Sequence, residues 1–155
     1  MPQLVKGGKH AFAWSVVGEN GRIPIPPEAF REYGFHEGIQ LAVLPGSRTS
    51  GGLILGSFSS LLGSPMGAIL ERCGGFVEGR IPCGIAVRSG KKVLCRVTVS
   101  GGGVDIPAET LKDYGVGIGD RLLAVRGSGL ALSMILKGPI ILEAVKHPEL
   151  EIIHE

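Results

Sequence analysis

The side chains with the most chemistry to offer are basic, and both halves of the chain carry them. Arg22 and Arg31 lie in the first half, Arg96 and Lys112 in the second. Two further groups, Lys6 with Lys9 and Arg88 with Lys91 and Lys92, flank glycine turns. Cations held at fixed points neutralise phosphates, and each contact releases condensed counterions, which gives affinity for duplex DNA without reading its bases. Between Ile81 and Arg96 there is no acidic residue. The competing reading is that these are solvated loop charges on an edge-rich β protein, where lysine blocks unwanted strand pairing.

Other chemistries find less support. His10, His36, His147 and His154 keep no ligand spacing with one another or with Cys73, Cys83 and Cys95, and the cysteines form no C-x-x-C pair. The thiols are therefore read as reduced, small apolar groups. No serine or cysteine lies in a nucleophile motif, and Asp105 stands alone. Gly115-Val116-Gly117-Ile118-Gly119 has some of the glycines of a dinucleotide fingerprint. It follows a helical pattern and precedes a strand, whereas a phosphate cradle needs a helix N-terminus after the glycines. The expectation is a protein that is not an enzyme and uses no cofactor and no metal.

These cations need positioning, and the elements that could do it are short. Asn20-Gly21 is a hairpin-turn dipeptide, because both residues tolerate positive φ. Ile23 and Ile25 follow on one strand face, with Pro24 acceptable at an edge. Pro26 and Pro27 open a helix bearing Phe30 and Tyr33 inward and Glu28, Arg31 and Glu32 outward. Gly34 is the left-handed stop, and Phe35 folds back over the helix end. The same block returns 81 positions later. Without a gap, residues 16–57 and 97–138 match at 13 of 42 positions, among them Pro26/Pro107, Glu28/Glu109, Tyr33/Tyr114, Gly34/Gly115, Gly38/Gly119 and Leu41/Leu122. Matches on turn, cap and core positions indicate a duplicated unit. A leading hairpin is repeated too, Leu4–Lys6 and Ala11–Val17 echoed by Ile85–Arg88 and Val93–Val99. That echo runs at an offset of 82, which places a one-residue indel near Trp14.

Gly21-Arg22-Ile23-Pro24-Ile25-Pro26 in the first copy, and Gly115-Val116-Gly117-Ile118-Gly119-Asp120-Arg121-Leu122 in the second, resemble the AbrB/MazE/SpoVT group of swapped-hairpin domains. The resemblance covers roughly residues 12–57 and 93–138. It implies a mainly β fold with short helices: two tandem AbrB-like barrel repeats interlocked as a pseudo-dimer that can dimerise further. It also implies transcriptional regulation through double-stranded DNA, with cations from strand, turn and helix at the phosphates. Arg22 and Arg31 match that pattern in the first copy, Arg96 and Lys112 in the second. Ser15, Val16 and Gly103 depart from it, so each copy keeps part of the set.

Composition bounds this reading. The chain has 155 residues, 44% of them hydrophobic, with 26 glycines and 10 prolines, as suits many short strands and tight turns. The expected organisation is a first repeat over 1–75 with trailing helices at Ser57–Gly63 and Met66–Cys73, a connector over 76–84, and a second repeat over 85–155. The second repeat trails a helix at Ile140–Lys146 and a last strand at Glu151–His154. No apolar run reaches the ~18 residues of a membrane span. The first residues lack a signal-peptide core, so a cytoplasmic protein without membrane contact is expected. A net charge of +2 does not by itself announce a nucleic-acid binder. A second function class therefore stands beside the first: a barrel that no longer binds DNA and serves as a protein-interaction or assembly module.

Overall fold

Two prolines open the two central helices, and two glycines close them, in the same way. In the computed structural model, which describes residues 10–155, α1 (Pro27–Glu32) follows Pro26 and α4 (Ala108–Lys112) follows Pro107. Fixed proline φ suits a first helical turn, whose N–H groups have no partner anyway. Gly34 and Gly115 then take φ of 67° and 73°. The next residue in each case turns back, Phe35 N–H to the Phe30 carbonyl and Val116 N–H to the Leu111 carbonyl, both at 3.0 Å. That six-to-one bond satisfies a carbonyl that the helix end would leave unpaired.

The strands are β1 (Ala11–Val16), β2 (Arg22–Pro24), β3 (Gln40–Pro45), β4 (Leu53–Ser57), β5 (Val87–Ser89), β6 (Lys92–Thr98), β7 (Gly103–Asp105), β8 (Arg121–Arg126), β9 (Leu132–Ile135) and β10 (Ile152–Ile153). Eight of them form one sheet in the order β10-β1-β8-β9-β4-β3-β6-β5, and β2 pairs with β7 as a separate ribbon. The class is mixed, mostly strands with short helices. The sheet is open, ending at β10 and β5, so the expected barrel is corrected: among the described residues nothing joins the two edge strands.

Pairing runs across the halves. β1 lies against β8, β6 against β3, and β4 against β9. Asn20 and Gly21 do take positive φ, 63° and 81°. Their turn, however, does not close a hairpin: β1 and β2 each pair with a strand from the other half. Registers repeat. Leu122 faces Ser15 as Leu41 faces Val97, and Leu123 faces Trp14 as Ala42 faces Arg96. Ile23 faces Val104, its own counterpart 81 positions on, and Arg22↔Asp105 mirrors Pro24↔Gly103. The offset of 82 therefore holds through β1 and β6. The one-residue indel falls beyond Trp14, in the turn between Val17 and Gly21. Arg96 thus corresponds to Trp14 and not to Ser15. The β4–β9 pairing, centred on Ile54↔Ser133, sets a further two-residue difference in the loop before β4.

Both faces of the sheet are covered. On one, β2, β7, α1 and α4 lay Ile23, Ile25, Ala29, Val104, Ile106 and Leu111 over Leu41, Val43, Val97 and Leu122 in a single cluster built from both halves. On the other, α2 (Phe58–Leu62) and α3 (Gly67–Glu71), with Phe76, pack on Ala42, Leu44 and Leu94. Beside them, α5 (Pro139–Ala144) packs on Trp14, Leu123 and Val125. The trailing helices expected after each copy are present but shorter. The last strand is also shorter: β10 joins β1 in parallel, with the Trp14 N–H bonded to the Glu151 carbonyl at 2.8 Å. The expected first strand, Leu4–Lys6, lies outside the described residues.

Candidate nucleic-acid interface

The nine cations singled out from sequence meet four fates. Arg96 is buried, with 7% of its surface exposed. It shares one face of β6 with Leu94, the face toward the layer of α2 and α3, while Cys95 and Val97 face the other way. Its guanidinium lies 4.0 Å above the Phe58 ring centre, donates to Gln40 Oε1, and reaches the Phe76 and Val77 carbonyls at 2.6 and 3.1 Å. Its Nε is buried without a partner. Arg96 is therefore corrected from phosphate contact to clamp: it ties the connector, through Phe76 and Val77, to the sheet. A second helical layer is what turns this strand position inward.

Arg22 leads β2 at the edge of the ribbon, with 17% of its side chain exposed. Its terminal nitrogens bond Asp105 Oδ2 at 3.3 Å and the carbonyls of Ser100 and Gly101 at 2.5 and 2.9 Å. Glu155 stands 3.6 Å from its Nε. A phosphate at Arg22 would have to displace carboxylates already in place. Asp105, alone in sequence, is Arg22's partner because β2 and β7 pair with these two residues opposite.

Five cations remain exposed: Arg31 on α1, Lys112 on α4, and Arg88, Lys91 and Lys92 around the β5–β6 turn, where Gly90 takes φ of 61°. None of them enters an ion pair among the described residues. Arg88 is close enough to Tyr114 for its charge to favour the phenolate slightly. Burial dominates and drives that hydroxyl far above its ordinary value, as it donates to the Val43 carbonyl at 2.8 Å. Tyr114 lies two residues beyond α4, after the cap residue Asp113, and Thr110 of α4 donates to the Gly84 carbonyl at 2.7 Å, three residues ahead of β5. Lys6 and Lys9 lie outside the described residues.

Sequence reading missed the anchors of this surface. Arg126, on β8, holds Glu32 of α1 through both carboxylate oxygens; this fork keeps the Glu32 carboxyl below its usual range. The two residues lie 94 positions apart, and the neighbouring Tyr33 hydroxyl donates to the Ser128 carbonyl at 2.8 Å across the same gap. Glu37 accepts the Gly101 N–H at 3.0 Å. Two open clefts flank the β2–β7 ribbon. One, of about 440 Å³, is lined by Arg22, Pro24, Ile25, Pro27, Phe30 and the tail 153–155. The other, of about 610 Å³, is lined by Asn20, Asp105, Pro107, Ala108, Cys83 and Thr98. The cysteines differ from one another: Cys83 is exposed, Cys73 half-buried and Cys95 buried. Desolvation pushes the Cys95 thiol up to about 11.

Comparison with family models, with curated proteins and with solved structures finds no match to this chain. No helix among the described residues is long and apolar enough to cross a membrane.

Proposed function

We propose that the protein is a tandem swapped-hairpin regulator that binds duplex DNA through its outer cations, Arg31, Lys112, Arg88, Lys91 and Lys92, and not through the strand arginines. The fold half of this reading is supported by reciprocal pairing: β1 with β8 and β6 with β3 in one register, and the ribbon paired about Ile23↔Val104. One observation carries the functional half. The five exposed cations have no carboxylate partner among the described residues, while Arg22 and Arg96 are consumed inside the molecule. A cation without a carboxylate partner is free to neutralise a phosphate and release the counterions condensed on the duplex.

The test is a titration of labelled mixed-sequence duplex at several salt concentrations. Five contacts give a log–log salt slope of about −4.5, and the combined change Lys91→Ala, Lys92→Ala, Lys112→Ala flattens it by about 2.7. Absence of binding at low salt ends this reading in favour of the interaction module. That second reading has its own observation: on and just after α5, Leu142 and Val145 leave 67% and 66% of their surface in water.

A further inference from the structure

The two clefts beside the ribbon occupy equivalent places in the two halves, yet their chemistry differs. Gly101 in the smaller cleft takes the place of Asn20 in the larger, Pro24 takes that of Asp105, and Pro27 that of Ala108. The smaller cleft is walled by Pro24, Ile25, Pro27 and Phe30, with the Arg22 guanidinium at its edge. The larger has Asp105 and no cation in its lining.

Arg22 is already poised for a carboxylate. Its two terminal nitrogens are held by Asp105 and by the Ser100 and Gly101 carbonyls, which fixes the plane of the guanidinium. Of the two N–H groups left over, one on Nη1 and the Nε–H, the latter is the one beside Glu155, whose Oε1 stands 3.6 Å from Nε, beyond hydrogen-bond reach. The chain's own tail thus brings a carboxylate to this donor without completing the bond. The tail residues Ile153 to Glu155 line a cleft that still holds about 440 Å³ of open volume, within the range of small-molecule sites. Exchange of one carboxylate for another keeps the charge around Arg22 constant, so an entering acid needs to offset only an exposed ion pair.

We infer that this cleft is a binding site for a small carboxylate with an apolar body, an aryl- or alkyl-substituted acid. The acid group takes the Arg22 Nε–H in place of Glu155, and the hydrocarbon part lies against Phe30, Ile25 and the prolines. The inference is independent of DNA binding, because Arg22 is not among the proposed phosphate contacts.

The experiment is a titration of the full chain, labelled with ¹⁵N, by 4-phenylbutanoate and, separately, by the uncharged 4-phenylbutanamide. The acid is expected to shift the amide signals of Ile25, Phe30, Gly101 and Gly102 saturably, and to bind about tenfold more tightly than the amide, as one charge-assisted hydrogen bond provides. Glu155→Gln removes the internal competitor and should tighten the acid about two- to fivefold, the range that exposed ion pairs reach. Arg22→Gln should abolish the preference for acid over amide, and Arg22→Lys, which keeps the charge, should retain part of it. Glu155 lies at the surface and its replacement does not threaten folding, so the test survives a poorly folded Arg22 variant. Equal binding of acid and amide, shifts centred on Cys83 and Asp105, weaker acid binding by Glu155→Gln, or no saturable shift by about 10 mM would each overturn the site.

Discussion

Arg96→Ala separates the chemistry expected from sequence from the chemistry that the fold assigns. The substitution removes the donors to Gln40 Oε1, to the Phe76 carbonyl and to the Val77 carbonyl, together with the cation over the Phe58 ring. Hydrogen bonds to a charged group are worth about 1.5–3 kcal/mol each, and a desolvated cation–π contact about 1–2. Against them stands the cost of keeping a guanidinium out of water, with Nε unbonded. The partners left behind are neutral, so the net loss should fall below that of a broken buried ion pair, at about 3 kcal/mol. In a chain of this size that lowers Tm by roughly 6–12 °C. Arg96→Met, which keeps an apolar stem over Phe58, should recover part of the loss. Urea denaturation measures the first quantity, and duplex titration below the melting range measures the second. The salt slope of Arg96→Ala should equal that of the parent. If the variant instead melts like the parent and flattens the slope by about one unit, Arg96 touches phosphate and the clamp is wrong.

Five further outcomes follow from the fold. Gly34→Ala and Gly115→Ala should each cost about 1 kcal/mol in urea denaturation, because an added Cβ meets open space and only the positive φ is strained. Gly21→Ala should cost several times as much, since its Cβ would stand 1.7 Å from the Ile106 carbonyl oxygen. Leu41→Ala and Leu122→Ala, both fully buried in the cluster shared by the halves, should each cost about 2–5 kcal/mol and move one common melting transition; two resolved transitions would contradict the shared core. Ser15 is buried with an unpartnered hydroxyl at the register position that Val97 fills in the other half, so Ser15→Ala should raise stability by about 1 kcal/mol. Burial raises the Cys95 thiol from 9.0 to about 11, so its contribution is present in full below pH 9 and is lost as pH rises toward 11. Unfolding free energy should fall by about 1.4 kcal/mol between pH 8 and 10 from this group, and Cys95→Ala should remove that part of the decline.

The sequence by itself determined whatever depends on a residue and its near neighbours. Positive φ at Gly34, Gly115, Asn20 and Gly21, proline at the helix starts, and the paired copies around them are demands of local backbone sterics, so they are legible in a string of letters. Leu41 and Leu122 were legible as a matched core pair of the duplicated block, and both are fully buried. The tertiary structure alone decided which cations face water. Period-two alternation marks two faces of β6 but not whether the second is covered; α2, α3 and Phe76 cover it, and so Arg96 turns inward. Strand pairing across the halves decided the rest. It set Asp105 opposite Arg22 and Arg126 against Glu32, pairs separated by 83 and 94 residues. It also left the sheet open, with β10 and β5 at opposite edges and no strand among the described residues to join them. Such pairings depend on the register of distant strands, which local preference does not encode.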